Sequence, residues 1–251
     1  MNLHSPTLRV LNILNTVAAH NGEFSMSDIS RKVKIPRGTL APIMYTLCHE
    51  RYLLIDSIHK YSIGIRCFLS GNQFVNLSNS YYGIKSIITE IVNCTGETAH
   101  MCILDHGNVL YLIKVESNQA VRIFSGIGKE LPAYSTAVGK ALLSKMSFSE
   151  LCALYHDGLI PVTENTITNI NYLYEQLQKI KVTGYAYESE ESTYGIRCIA
   201  RPIYNPNGEL KAAISVAIPI FRYNEEKRKL IEATLLESSE ILSQIVDSLV
   251  P

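Results

Sequence analysis

Residues 184–219, GYAYESEESTYGIRCIARPIYNPNGELKAAISVAIP, constrain the fold of this chain more than any other stretch. They read as three short strands, 185–189, 198–204 and 210–218, separated by two turns. The second and third are rich in apolar and β-branched residues and are joined by Asn-Pro-Asn-Gly. Those residues favour the dihedrals of a tight turn, so the pair predicts an antiparallel hairpin. A hairpin this apolar must bury at least one face. Yet Glu188, Glu190, Glu191 and Cys198 enter beside it, and that combination predicts a small pocket set into a sheet.

With 251 residues, the chain suits two domains better than one. Hydrophobic residues make up 47% and charged residues only 18%, enough for a large core and too little charge for disorder. Net charge is zero but unevenly spread. Residues 1–70 hold eight Lys and Arg against four Asp and Glu, which leaves this third at +4 and the remainder at −4. A basic first third hints at nucleic acid, although solvated helix faces give the same count. The six cysteines show no C-x-x-C spacing and read as reduced, buried thiols, and Met1–Arg9 lacks a charged start followed by an apolar run. The longest apolar stretch is too short to span a bilayer. A cytoplasmic location without membrane contact is the expectation.

In order along the chain, Ser5-Pro6 opens a first helix, with Ser5 able to cap it. Leu8, Leu11, Leu14 and Ala18 form one apolar stripe and Val10, Ile13 and Val17 a second, so one should pack inward and the other meet a partner. Ser25 and Asp28 have capping-box spacing for a brief helix that ends near Lys34. A further helix begins at Ile35-Pro36, with Leu40, Ile43, Met44 and Leu47 inside. Tyr52 to Gly64 makes a two-stranded wing carrying Lys60. Three helices and a basic wing form a winged helix-turn-helix, whose second motif helix enters the major groove. Pro42 cannot donate to the carbonyl four residues back, so either the helix kinks there or it starts later with Thr39 as its cap.

Residues 67–82 read as a linker, part helical. Ile84, Ile87, Ile88, Ile91 and Val92 recur with helical period. Strands 98–104, 109–115 and 121–125 then form a meander. Helices are expected at 137–145, 147–155 and 169–183, and again at 224–249 after the hairpin. An antiparallel sheet flanked by helices, separate from the winged helix, makes the class α+β.

Several motifs occur in one order: Pro36-Arg37-Gly38-Thr39-Leu40, Tyr61-Ser62-Ile63-Gly64, Thr95-Gly96-Glu97-Thr98-Ala99-His100, Thr136-Ala137-Val138-Gly139-Lys140-Ala141-Leu142, Gly184-Tyr185-Ala186, Gly195-Ile196-Arg197-Cys198-Ile199-Ala200 and Ala212-Ala213-Ile214-Ser215. In this ordered set the chain resembles the isocitrate-lyase-regulator (IclR) family of bacterial transcription factors. The resemblance implies a winged helix-turn-helix DNA-binding domain over 1–66, a helical linker over 67–82 and a GAF-like effector domain over 83–251. It further implies a dimer or a dimer of dimers, a double-stranded DNA operator, a repressor or other regulator of a catabolic operon, and a small organic acid as effector. Carried over by position, the effector pocket takes Ile123, Ala137, Val138, Glu188, Ile196, Cys198, Ser215 and Ala217. Chemistry agrees: amides near Ala137–Gly139 suit a carboxylate, Ser215 and Cys198 donate, and Glu188 accepts from a hydroxyl. The DNA-binding set is Arg31, Lys34, Arg37, Thr39, Ala41, Tyr45 and Lys60, with Arg31, Lys34 and Lys60 mostly at phosphate. The chain departs from the family pattern at Ala217, where a second serine is common. It also departs at Gly38, Ala41 and Pro42, where relatives carry Ser, an aromatic or His, and Arg.

Other chemistry reads as weaker. His100, Cys102, Cys94 and His106 match no standard zinc spacing. Cys198 has no adjacent basic residue to make it a nucleophile. Gly126-Ile127-Gly128 and Gly139-Lys140 lack the rest of a dinucleotide or phosphate fingerprint, so no cofactor is expected. Glu190 and Glu191 read as solvated loop charges. An enzyme built on residues 80–251 would need a paired acid and base, and no such pair is evident; no catalytic residue is assigned. A sensor whose first domain only dimerises, or binds DNA weakly through Gly38 and Pro42, is the other reading.

Overall fold

The computed structural model describes residues 3–76, 79–119 and 130–248. It comprises two compact units, Met1–Leu77 and Ser78–Pro251. The expected strand at 121–125, Ile123 within it, and the turn at Gly126 lie outside the described residues.

The first unit packs α1 (Ser5–Ala19), α2 (Met26–Val33) and α3 (Arg37–His49) around Ile13, Val17, Ile29, Leu40, Met44 and Leu47. Of the two stripes on α1, the one with Ile13 and Val17 is buried, while Leu8 and Leu11 face solvent. Ser5 is not the cap: it is the first helical residue, and His4 takes the cap position, its Nδ1 2.8 Å from Thr7 Oγ1 rather than bonded to a backbone amide. Pro6 therefore sits in the first turn, where a missing N–H costs nothing. The capping box on α2 forms in full, with Ser25 accepting from Asp28 N and Asp28 Oδ2 accepting from Ser25 N at 2.9 Å. Lys34 ends α2 in the left-handed region at φ 55°.

Helix α3 starts at Arg37 and runs through Pro42, with Pro36 rather than Thr39 at the cap position. Neither end of α3 is shortened to avoid the proline; the bond from residue 42 to the Gly38 carbonyl is simply absent. The wing follows as β1 (Leu53–Ile55) and β2 (Tyr61–Ile63), with Asp56 Oδ1 accepting from Ile58 N at 3.0 Å and Lys60 N at 2.8 Å to shape the turn. The stretch read as a linker carries α4 (Ile65–Asn76) and the start of α5 (Asn79–Thr95).

The second unit is a six-stranded antiparallel sheet in the order β5-β4-β3-β8-β7-β6. Its strands are β3 (Thr98–Asp105), β4 (Asn108–Val115), β5 (Glu130–Pro132), β6 (Ala186–Ser189), β7 (Ile196–Tyr204) and β8 (Leu210–Pro219). The β7–β8 hairpin closes as expected. Gly208 adopts φ 79°, and Asn205 Oδ1 accepts from Asn207 N at 3.1 Å and Glu209 N at 2.9 Å. Residue alternation then divides the sheet. One face, with Met101, Ile113, Ile199, Ile203, Ile214 and Val216, packs on α5 and on α9 (Glu225–Ser243). The other, with Cys102, Tyr111, Ala200 and Ala213, packs on α6 (Ala137–Leu143), α7 (Phe148–Leu154) and α8 (Ile170–Thr183). One expectation needs correction: the last helix stops at Ser243, with Val246–Ser248 as a separate 3-10 turn. Residues 130–132, for which nothing was expected, form a strand. Among the described residues no helix is long and apolar enough to cross a membrane.

Candidate effector pocket and nucleic-acid interface

The sheet register decides which side chains meet. Antiparallel partners share a face, so Glu188, Cys198, Ala217 and Thr98 form one row across the sheet, and Ala186, Ala200, Ser215 and His100 the next. Helix α6 lies over these rows. Thr136 caps it by accepting from Gly139 N at 3.0 Å. Gly139 is not interchangeable here, because a Cβ would sit 2.1 Å from the Ala133 carbonyl oxygen. Its amide is therefore taken by Thr136, and the free donor expected at residue 139 is not there.

Between α6 and the sheet lies a small, partly open cavity of ≈ 30 Å³. Ala137, Val138, Ile196, Cys198, Ser215 and Ala217, six of the positions assigned to the effector pocket, line it together. That reading missed His100, Tyr111 and Thr136, and the loop residues Ser192 and Thr193. His100 and Tyr111 were legible only in part. Alternation puts His100 on the Cys102 face, but its pairing with Ser215 needs the β3–β8 register, a long-range fact. Glu188 is separated from the set: it lines an adjoining cleft with Glu191 and Arg197 and shares only Cys198 with the first cavity. The reason is topological, since β6 is the edge strand, one step beyond β7.

Burial sets the chemistry of these groups. It holds the His100 imidazole down to about 3, helped by the Lys114 charge, so His100 is neutral at physiological pH. Burial likewise pushes the Cys198 thiol well up, with the Glu188 charge adding to it, so Cys198 is no thiolate nucleophile. Glu188 is raised to about 7, chiefly by burial, against the bond its Oε2 accepts from Glu191 N at 2.9 Å. Burial also raises Glu191, opposed by Lys140.

The acidic loop is not a set of solvated charges. Lys140, fully buried on α6, donates to Glu191 Oε1 at 2.6 Å and to Gln176 Oε1 at 3.0 Å. Thr163 and Thr166 donate to the Glu190 and Glu191 carbonyls at 2.7 Å, and Glu190 Oε1 accepts from Gly195 N at 2.7 Å. These bonds fix the loop that carries Ser192 and Thr193 over the cavity. Among the described residues, Glu188 Oε1 and Glu191 Oε2 are buried without a hydrogen-bond partner. No cluster of three or more His, Cys, Asp or Glu able to hold a metal occurs among the described residues.

In the first unit the expected DNA-facing residues gather around α2, α3 and the wing. Arg31 and Lys60 both approach Asp28, at 2.7 Å and 3.7 Å. Its carboxyl is held below the usual carboxylate range by the Ser25 side chain and backbone, with both cations adding to this. Arg37, the first residue of α3, donates to Ser27 Oγ. Lys34, Thr39 and Ala41 are exposed. Tyr45 is 74% exposed, with its ring 6.3 Å from that of His49.

Two family models match: the IclR helix-turn-helix domain over residues 7–56 and the bacterial transcriptional regulator IclR C-terminal domain over residues 81–244. The chain belongs to the IclR family of bacterial transcriptional regulators. This IclR-family chain is 30% identical over 241 residues to the HTH-type transcriptional regulator RhmR of Escherichia coli (strain K12), covering 95% of this chain and 92% of that one. The crystal structure of the Thermotoga maritima IclR matches with a TM-score of 0.72 at 30% identity, over 96% and 98% of the two chains. An IclR homolog from Microbacterium hydrocarbonoxydans, crystallised with 4-hydroxybenzoate, matches with a TM-score of 0.78 over 95% and 99%; at 21% identity it shows the shared fold alone. As an IclR regulator the chain carries a helix-turn-helix domain and an effector-binding C-terminal domain, and it is a regulator rather than an enzyme.

Proposed function

We propose that this protein is a cytoplasmic repressor of a catabolic operon, released or tightened on its operator by a small organic acid. The DNA-binding part is 1–66, the linker 67–82 and the GAF-like sensor 83–251, and the working form is a dimer or a dimer of dimers. Phosphate is met by Arg31, Lys34 and Lys60, and base edges by Arg37, Thr39, Ala41 and Tyr45. The effector sits against Ala137, Val138, Ile196, Cys198, Ser215 and Ala217, with Glu188 at its margin and Ile123 a further contact by family position alone. One observation carries this reading: a small cavity under α6 lined by the Ser215 hydroxyl, the Cys198 thiol and the neutral His100 imidazole, with no thiolate or charged base among these groups. The 4-hydroxybenzoate in the M. hydrocarbonoxydans structure makes aromatic hydroxy acids the natural first comparison with glyoxylate and pyruvate. The ligand acts only through different affinity for two arrangements of the protein.

The test combines mobility shifts on DNA upstream of the chain's own and neighbouring genes with calorimetric titration of the three acids. A shift at low salt that one acid weakens or strengthens is expected. No shift at low salt, or no acid that alters it, removes the reading.

A further inference from the structure

The exposed side of α3 has few groups with which to hydrogen-bond a base. At 100° per residue, Gly38, Ala41, Pro42, Tyr45 and His49 lie opposite the buried Leu40 and Leu47. Of these, Gly38, Ala41 and Pro42 fill the N-terminal half, the part of a recognition helix that meets base edges, and none has a polar side-chain atom. Neighbouring polar groups are engaged locally. Thr46 Oγ1 donates to the Pro42 carbonyl at 2.9 Å, His49 Nδ1 lies 2.9 Å from Glu50 Oε1, and Arg37 is bonded to Ser27. What the face presents is the Ala41 methyl, the Pro42 ring and the Tyr45 ring, flanked by Thr39 with its methyl and its hydroxyl.

The base feature that recognises such a surface in the major groove is the C5-methyl of thymine, whereas guanine and adenine call for bidentate polar partners. Arg31, Lys32, Lys34 and Arg37 are exposed beside this apolar strip, which suits a strip pressed into a groove walled by phosphates. We propose that α3 reads its operator chiefly through thymine methyl groups contacted by Thr39, Ala41 and Pro42. The half-site beneath the start of α3 is then thymine-rich, and its specificity is steric rather than hydrogen-bonded. This rests on the reading that the unit binds DNA.

Thymine-to-uracil substitution tests it, because uracil keeps every hydrogen-bonding group and lacks only the methyl. An operator is first selected from random duplexes with the full-length protein at low salt, and single deoxyuridines are then placed at each thymine. Affinity should fall about threefold to fivefold at each contacted methyl, as expected for one methyl removed from an apolar contact. In Thr39→Ser, which keeps the hydroxyl, the penalty should vanish at one of those positions and persist at the others. Sequence-selective binding that ignores every uracil but is lost with 7-deazaguanine overturns the proposal and leaves the regulator reading standing. A protein that binds no duplex at all overturns both.

Discussion

At the residue scale, the Lys140–Glu191 pair is the most consequential contact in the second unit. A fully buried ammonium cannot be left alone: removing one partner of a buried pair typically costs about 3–5 kcal/mol, because the other charge stays desolvated. Lys140→Met should therefore lower unfolding free energy in urea by about that amount, and Lys140→Met with Glu191→Gln should recover most of it. Glu188 gives a second, pH-dependent outcome. Its carboxyl rises from 4.5 unfolded to about 7 folded, so the folded state holds a proton that the unfolded state has lost between those values. The stability it contributes is full below pH 4.5 and is lost as pH rises to 7, a change of roughly 3 kcal/mol at 1.36 kcal/mol per unit. The difference in urea-unfolding free energy between the native chain and Glu188→Gln should follow that fall; a flat difference across this window removes the assignment.

At the element scale, two glycines in helices have opposite roles. Gly38 on α3 has open space where a Cβ would go, while Gly139 on α6 has the Ala133 carbonyl oxygen at 2.1 Å. Gly38→Ala should raise the melting temperature slightly, by up to about 1 kcal/mol of helix propensity. Gly139→Ala should lower it by several degrees, visible in the same thermal melt. The same elements show what a sequence discloses. The β7–β8 hairpin was legible because alternation and Asn207-Gly208 are local signals. So was the capping box of α2, since Ser25 and Asp28 are three residues apart. Strand β5 was not, because three residues carry no alternation. Glu191 was read as solvated because nothing near it in sequence announces Lys140, 51 residues away. Glu188 lines the adjoining cleft because strand order, not strand identity, decides that point.

At the scale of the whole molecule, each unit closes its own apolar core: Ile13 to Tyr61 in the first, and both faces of the sheet in the second. A fragment spanning residues 78–251 should therefore fold alone and bind the same acid as the full chain, measured by calorimetry; loss of binding in a folded fragment would place part of the site in the first unit. The charge arrangement of the first unit reaches furthest. Arg31 and Lys60 share Asp28, so the strongest cluster of cations near α2 carries its own counter-charge. Non-specific affinity for duplex DNA scales with the number of phosphates neutralised. A regulator whose positive charge is partly answered from within therefore neutralises fewer phosphates on random sequence than its count of lysines and arginines suggests.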